Sequence, residues 1–369
     1  MLQSTGKKSG ITSMTEEITE SAGSGFDEEV DWLIAGAGAA GMTGAVVAHQ
    51  LGGSVLVLEK EPLYGGTTAK SGGVAWIPGN HRQAEVGIAD SVEEGYSYLK
   101  GLIGDSVADA RIRAYAEQAR EMLRFMMDHS HVDYTALPEY MDYYETVPGY
   151  KTGGRSMDPG TISLRRLGPE AEHIRIGHYD GLLMPFNVTV QEGRKLGEMN
   201  FGSYVTGLKL MLRYLLDIPA RLRKQRDMRL TLGTGLVAKL RRSMMDRDIP
   251  LRLNSPVQEV LSENGRIVGA VVGQEGRAVR IRARRGVLLA TGGFSQNASL
   301  RQQYQQAPIG DEWSASAPGA VGDGILMGQR AGAALDFMGS AWWSPTYTVP
   351  DGRVVALISG KSNPGSIMI

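Results

Sequence analysis

Three observations predict an α/β fold. An apolar run at residues 30–34 leads at once into a glycine-rich turn and a helix-like apolar stretch, and a second apolar run follows at 54–58. That second run ends on an acidic residue, Glu59. Much later, an apolar run at 286–290 ends in small residues, Ala290-Thr291-Gly292-Gly293. The first two features make a parallel βαβ unit of about thirty residues, the size such a crossover needs. The third supplies a strand end whose backbone a ligand can approach closely.

The turn of the βαβ unit reads Gly36-x-Gly38-x-x-Gly41, with Ala39 and Ala40 between the glycines. The glycines divide the work. Gly36 permits the tight turn, Gly38 admits a pyrophosphate to the backbone, and Gly41 lets helix pack on strand. Phosphates then meet a helix N-terminus, where free N–H groups and the helix dipole favour anions. Glu59 follows Gly41 by 18 residues, with Lys60 next to it. A carboxylate there is placed to accept hydrogen bonds from ribose hydroxyls. A glycine motif alone is weak; the strand before it, the helix after it and the acidic strand end give a Rossmann-type dinucleotide fold.

The motif does not choose between NAD and FAD. Two further glycine groups favour FAD. Gly65-Gly66-Thr67-Thr68 and Ser71-Gly72-Gly73 follow the ribose carboxylate directly and bring backbone N–H groups and hydroxyls toward a pyrophosphate and a flavin edge. Ala290, Gly292 and Gly293 end the late strand with little side chain in the way.

Composition bounds the rest. The chain has 369 residues, 42% hydrophobic and 21% charged, an ordinary globular balance for one large domain with an insertion, or two domains. Its net charge of −1 gives no electrostatic argument for nucleic acid. With no cysteine, disulfides, thiolate metal sites and a Cys nucleophile are excluded. The six histidines lack zinc-ligand spacing, so no metal is expected. Residues 1–28 are polar and predict a disordered leader without a secretory signal. No apolar stretch is long enough to span a bilayer, and a cytoplasmic protein is expected.

Between the glycine motifs, residues 90–135 show helical apolar spacing, at Tyr96, Leu99 and Leu102, then at Tyr115, Ala119, Met122, Phe125 and Met126. Residues 131–200 read as a loop-dominated, Tyr-rich stretch. A helix is expected over 203–224, broken at Pro219, with the apolar part 208–216 as a core helix and the basic run 221–229 as a solvated face. Residues 251–284 alternate, with Asn264-Gly265 and Glu275-Gly276 as turns, and predict a small antiparallel meander. It feeds a buried strand at 286–290. Further elements are a helix at 325–331 after Gly322-Asp323-Gly324 and a strand at 354–358. The FAD-binding domain is thus assigned to 30–80 and 231–293, a helical and Tyr-rich insertion to 81–230, and the start of an α+β capping domain to 294–369.

The motifs DWLIAGAGAAG, VLEKEPLYGGTTAKSGG, PVQEV and RRGVLLATGGF resemble the flavoprotein group of fumarate reductases and 3-ketosteroid 1-dehydrogenases. SGGVAWIPGN, MDYYETVPGYKTGGRSMDP and ALDFMGSAWWSPTY place the resemblance in the steroid branch, over residues 30 to 369. The resemblance implies FAD with Val257 of PVQEV passing the adenine. Relatives that attach flavin covalently use a His where this chain has Thr67 and Thr68, so non-covalent FAD is expected. It implies 1,2-desaturation of a 3-oxosteroid, an apolar ketone: a base takes the proton beside the carbonyl, and hydride passes to flavin N5. An Asp-Tyr-Tyr motif of the family matches Asp142-Tyr143-Tyr144, which makes Tyr143 the residue that assists the proton-abstracting tyrosine. That tyrosine, in an Asn-Glu-x-x-Pro-Tyr segment, and the ketone-holding Tyr-Pro-Gly-x-Gly segment have no match here, so the chain is expected to be truncated and its activity reduced or lost. A non-catalytic FAD-binding fragment and a fumarate reductase-like flavoprotein stand as alternatives. The electron acceptor is not legible.

Overall fold

β1 (Glu28–Ala35) and β2 (Val55–Leu58) pair in parallel, Trp32 to Val55 through Ala35 to Leu58, with α1 (Ala39–Gln50) crossing between them. They belong to a computed structural model that describes residues 25–177, 186–218, 227–350 and 352–356. All four residues of β2 are buried, as are Leu33, Ile34 and Ala35 of β1. A parallel strand covered on both faces reads as an unbroken apolar run, which is what the sequence shows. Each of these large aliphatic side chains contributes roughly 2 kcal/mol by leaving water.

The main sheet has six strands in the order β8-β2-β1-β11-β10-β9. β9 (Val257–Glu263), β10 (Arg266–Gln274) and β11 (Arg277–Leu289) form the expected antiparallel meander. Both turns adopt left-handed backbone, Asn264 and Gly265 at φ 51° and 77°, Glu275 and Gly276 at φ 49° and 80°, the geometry two-residue hairpins favour. β8 (Leu251–Arg252) pairs in parallel with β2 instead of joining the meander.

Three expectations need correction here. The last meander strand and the run at 286–290 are one strand, β11, which pairs antiparallel with β10 and parallel with β1, shifting register between Val30 and Trp32. Its end is only half-buried: α1 packs so closely that a Cβ on Gly44 would sit 2.6 Å from Leu288, yet Leu288 is 38% exposed. Residues 25–28 are held in place, against the expectation of a disordered leader over 1–28. The Asp27 N–H donates to the Arg280 carbonyl, and Arg282 lies 4.1 Å over the Phe26 ring; residues 1–24 lie outside the described residues.

α2 (Gly66–Lys70) follows β2, and α3 (Val92–Ile103) and α4 (Asp109–His129) supply the helical region. Their buried faces match the expected ones only in part: Ala119 and Met126 of α4 are buried as expected, together with Gly95 and Tyr98 in α3 and Ile112, Ala116 and Leu123 in α4, while Leu102, Tyr115 and Met122 are exposed. A small sheet, β3-β5-β4, joins β3 (Ala75–Trp76), β5 (Ser156–Asp158) and β4 (Thr135–Ala136). β6 (Ile162–Ser163) pairs with β7 (Arg229–Leu230). Helix α7 (Leu232–Met245) is almost wholly buried. One apolar core runs from Ile34 and Val46 through Leu123, Met157 and Leu164 to Val237 and Met244.

Residues 186–200 are less irregular than expected, and the helix expected from 203 begins at Phe201. α5 (Val190–Gly197) and α6 (Phe201–Leu216) each begin with a reciprocal capping box, Thr189 with Glu192 and Asn200 with Ser203, which satisfies their first free N–H groups. α6 is not the core helix expected over 208–216. Ser203 and Leu210 are buried, while Leu208, Leu212, Leu215 and Leu216 are 61%, 53%, 48% and 83% exposed. Pro219 and residues 221–226 of the basic run lie outside the described residues. Arg229, at the end of that run, is buried in β7 and paired with Glu192 at 2.8 Å, so there it is not a solvated face. Two short helices complete the described chain, α8 (Ala298–Tyr304) and α9 (Asp323–Arg330), with a hairpin of β12 (Thr346–Thr348) and β13 (Val354–Ala356).

Candidate functional site: a cleft at the strand ends

The carboxyl ends of β1, β2 and β11 open onto one cleft, the place where open α/β sheets bind ligands. Gly36 turns the chain out of β1 at φ 107°, and a Cβ there would lie 2.4 Å from the Ala290 carbonyl oxygen. A Cβ on Gly41 would lie 1.9 Å from the Gly36 carbonyl oxygen. These two glycines are demanded by the fold itself. Gly38 differs: its Cβ would meet only the Thr68 hydroxyl, at an ordinary 3.5 Å. The free backbone space at Gly38 faces the cleft, so an occupant of the cleft explains the glycine where the protein does not. Gly38 caps α1 with no side chain of its own; the Thr68 hydroxyl takes the Ala39 N–H, and the N–H groups that follow in the first turn are left to an anion.

Glu59 is 8% exposed and organises the turn. Its Oε2 accepts the Ala37 N–H at 3.0 Å and its Oε1 the Glu61 N–H at 3.0 Å. A carboxylate oxygen has two lone pairs, so each oxygen keeps capacity for a hydroxyl. The glycine loop after β2 braces the same turn. The Thr68 hydroxyl accepts the Ala39 N–H at 3.0 Å, and the Thr67 hydroxyl accepts the Ala317 N–H at 3.1 Å. Behind it, α7 presses in: a Cβ on Gly233 would meet the Thr68 carbonyl oxygen at 2.0 Å. Gly73, at φ 66°, passes Leu232 so tightly that a Cβ would come within 2.7 Å of its backbone.

Of the residues the sequence singled out, Gly36, Gly38, Ala39, Ala40, Glu59, Lys60, Gly66, Thr67, Thr68, Val257, Ala290 and Gly292 line the cleft. Gly41, Ser71, Gly72, Gly73 and Gly293 do not. Gly41 serves helix packing, and Ser71 holds its loop by bonding the Thr68 carbonyl at 2.8 Å and the Gly73 N–H at 2.9 Å. Sequence reasoning missed Arg175, Ser255, Ala317, Gly319 and Asp323 on the cleft wall. Asp323 forms an ion pair with Lys60, and Arg175 reaches Glu61 at 3.3 Å, its Nε buried and without a partner among the described residues. The Gly322-Asp323-Gly324 turn was a signal for Asp323; nothing local marks Arg175. Lys70 stands behind the loop, its ammonium donating to the Ser316 carbonyl at 2.9 Å. Burial, and then the charges of Arg175 and Arg353, hold its pKa below the usual lysine value.

Tyr143 lies elsewhere. It is 61% exposed and outside the cleft lining, on the loop between β4 and β5. Desolvation of its phenol and the neighbouring Tyr140 phenol raise its pKa above the ordinary tyrosine value. A phenol so shifted stays protonated at neutral pH and suits hydrogen-bond donation, not proton abstraction.

The geometry fits a flavin dinucleotide: an open helix N-terminus, backbone space at Gly38, a buried carboxylate at the ribose position and small residues at the end of β11. The FAD binding domain family model matches residues 31–369. A 3-oxosteroid 1-dehydrogenase of Mycobacterium tuberculosis is 36% identical over 93% of this chain and 61% of its own length. A 4-oxocyclohex-2-ene-1-carboxylate 5-dehydrogenase of Sinomonas cyclohexanicum is 33% identical over 88% of this chain and 55% of its own length. Among solved structures, a 3-ketosteroid delta1-dehydrogenase from Sterolibacterium denitrificans, in complex with 1,4-androstadiene-3,17-dione, superposes with a TM-score of 0.86 at 36% identity, covering 90% of this chain and 60% of that one. The chain thus spans about 60% of the length of such relatives. Among the described residues, no helix is long and apolar enough to cross a membrane. With its cleft and its sequence in agreement over nearly all its length, this chain belongs to the FAD binding domain family of flavoproteins.

Proposed function

We propose that this chain serves a flavin-dependent dehydrogenase that removes two hydrogens from adjacent carbons beside a ring ketone, with a 3-oxosteroid as substrate. The observation that carries the reading is the 36% identity to 3-oxosteroid 1-dehydrogenase across 93% of the chain. A relative named for a single-ring ketone widens the substrate class to cyclic ketones. The division into a flavin unit at 30–80 and 231–293, an insertion at 81–230 and a cap beginning at 294 is part of the same proposal.

In this reading Gly36, Gly38, Ala39 and Ala40 receive the pyrophosphate at the start of α1, and Glu59, with Lys60 beside it, receives the ribose. Gly66, Thr67, Thr68, Ser71, Gly72 and Gly73 form the loop along the flavin, Val257 flanks the adenine, and Ala290, Gly292 and Gly293 leave room at the end of β11. Gly41 keeps helix and strand in register. FAD, when bound, supplies the hydride acceptor, and Thr67 and Thr68 offer no imidazole for a covalent link. Tyr143 assists the proton-abstracting tyrosine and lines the substrate pocket; its raised pKa weighs against its being the base itself.

The test is an absorption spectrum of the purified chain with FAD, then with androst-4-ene-3,17-dione and an artificial electron acceptor. A flavin spectrum that shifts with steroid supports the reading. A flavin that ignores steroid but responds to fumarate would replace it with the fumarate reductase-like alternative.

A further inference from the structure

Asp142 sits on the loop that carries Tyr143, yet its carboxylate is only 2% exposed. Oδ2 accepts from Arg155 Nη1 at 2.7 Å and from the Lys151 backbone N–H at 3.0 Å, and Oδ1 accepts from Trp76 Nε1 at 2.6 Å. Arg155 is fully buried and also grips Asp90, Nε to Oδ2 at 2.8 Å and Nη2 to Oδ1 at 2.7 Å. Its guanidinium carbon lies 5.3 Å from the Trp76 ring centre. The loop is tied a second time, where the Tyr98 hydroxyl accepts the Tyr144 N–H at 3.1 Å.

This cluster holds two carboxylates and one guanidinium away from water. Ion clusters of that kind are seldom the most stable filling for a core, and their best-attested use is to fix one arrangement among several. The arrangement fixed here is specific. Trp76 belongs to β3, three residues after Gly73 at the end of the glycine loop, and Gly73 is itself held, its carbonyl accepting the Tyr134 hydroxyl at 3.0 Å. Asp142 therefore connects the exposed tyrosine loop to the strand that leaves the loop assigned to the flavin.

We propose that Asp142, clamped by Arg155 and Trp76, is a positioning residue that sets the Tyr143 phenol relative to the flavin loop and so to the substrate ketone. This inference rests on the dehydrogenase reading above. Asp142 touches neither substrate nor cofactor in it; it acts through the backbone it shares with Tyr143.

The experiment is a double-mutant cycle on the FAD-loaded full chain, read as steroid affinity from the flavin difference spectrum with androst-4-ene-3,17-dione, and in parallel as FAD affinity. Asp142→Asn keeps the shape but removes the charge facing Arg155, and it should weaken steroid binding roughly tenfold, the loss of a charged hydrogen bond, while leaving FAD affinity within about twofold. Tyr143→Phe placed on top of it should add nothing. If Asp142→Asn does not fold, Trp76→Phe, which keeps the ring and deletes only the N–H donor, takes its place in the cycle with the same expectations. Additive losses, or FAD and steroid affinity falling together, would overturn the positioning role while leaving the dehydrogenase reading standing. A wild-type flavin that ignores the steroid would remove that reading and this proposal with it.

Discussion

The Glu59 carboxylate reaches back to the glycine turn and accepts the Ala37 N–H at 3.0 Å, while its second oxygen takes the N–H of Glu61 at the same distance. A residue first legible as a ribose ligand is also the brace of the turn that would receive the pyrophosphate. Glu59→Gln keeps the size but presents an NH2 to one of two backbone donors. One charged hydrogen bond is lost and one buried N–H is left facing another donor, about 2 kcal/mol together. FAD affinity measured by quenching of flavin fluorescence should fall roughly thirtyfold, by the same figure. An unchanged affinity would mean that neither the ribose contact nor the brace matters to binding.

Under the proposed cofactor mode, Gly38 leaves space for the ligand whereas Gly41 is required by the fold. Gly41→Ala puts a methyl 1.9 Å from the Gly36 carbonyl oxygen, against backbone that has no room to move. It should destabilise the chain by about 3 kcal/mol or more, a loss of the overpacking kind, visible as a large fall in melting temperature. Gly38→Ala meets only the Thr68 hydroxyl at 3.5 Å. Its melting temperature without FAD should stay near wild type, while FAD affinity drops at least roughly tenfold as the methyl displaces a phosphate oxygen from the helix N-terminus. Equal effects of the two substitutions on folding would contradict this division.

The βαβ unit was legible because its signals are local: an apolar run, spaced glycines and an acidic strand end. The meander was legible for the same reason, through Asn264-Gly265. α5 also carried its signal, the Thr189-x-x-Glu192 capping box, under a composition that reads as loop. What the sequence did not disclose depends on distant partners. Arg175 reaches the cleft from the far side of the insertion to meet Glu61, 114 residues away in sequence. α7 is buried on nearly every side, Lys239 and Arg241 included, so it has no clear apolar stripe. Trp342 and Trp343, at 85% and 58% exposed, join neither the core nor the cleft among the described residues.

Tyr134 offers a pH test of how the glycine loop is held. It is 7% exposed, its hydroxyl donates to the Gly73 carbonyl at 3.0 Å, and burial, with Asp158 adding to it, pushes its pKa far above the ordinary value. The unfolded phenol titrates near pH 10. Above that pH the unfolded chain releases a proton that the folded chain still holds, so stability falls as pH rises. The contribution is fully present below about pH 10 and is lost on the way up to the folded value. Wild type should therefore lose melting temperature between about pH 9 and about pH 11, and Tyr134→Phe should lose less over the same range, while being about 1 kcal/mol less stable at neutral pH for want of its hydrogen bond. Parallel pH curves for the two proteins would show that Tyr134 is not the group responsible.

α6 is apolar in sequence but packs along a narrow line, and two of its leucines make opposite predictions. Leu210 is 7% exposed and Leu216 is 83% exposed. Leu210→Ala opens a cavity in the contact that holds the helix down, at about 2–3 kcal/mol for a buried leucine. Leu216→Ser removes a side chain already in water and should change stability by less than about 0.5 kcal/mol, as surface substitutions do. Urea unfolding separates the two. Equal losses would mean that the exposed face is covered in solution and that the core helix expected from its composition exists after all. A loss confined to Leu210→Ala, with the amide protons of α6 exchanging faster and those of β1 unchanged, would show that the helix is held by one buried row and opens without the flavin sheet.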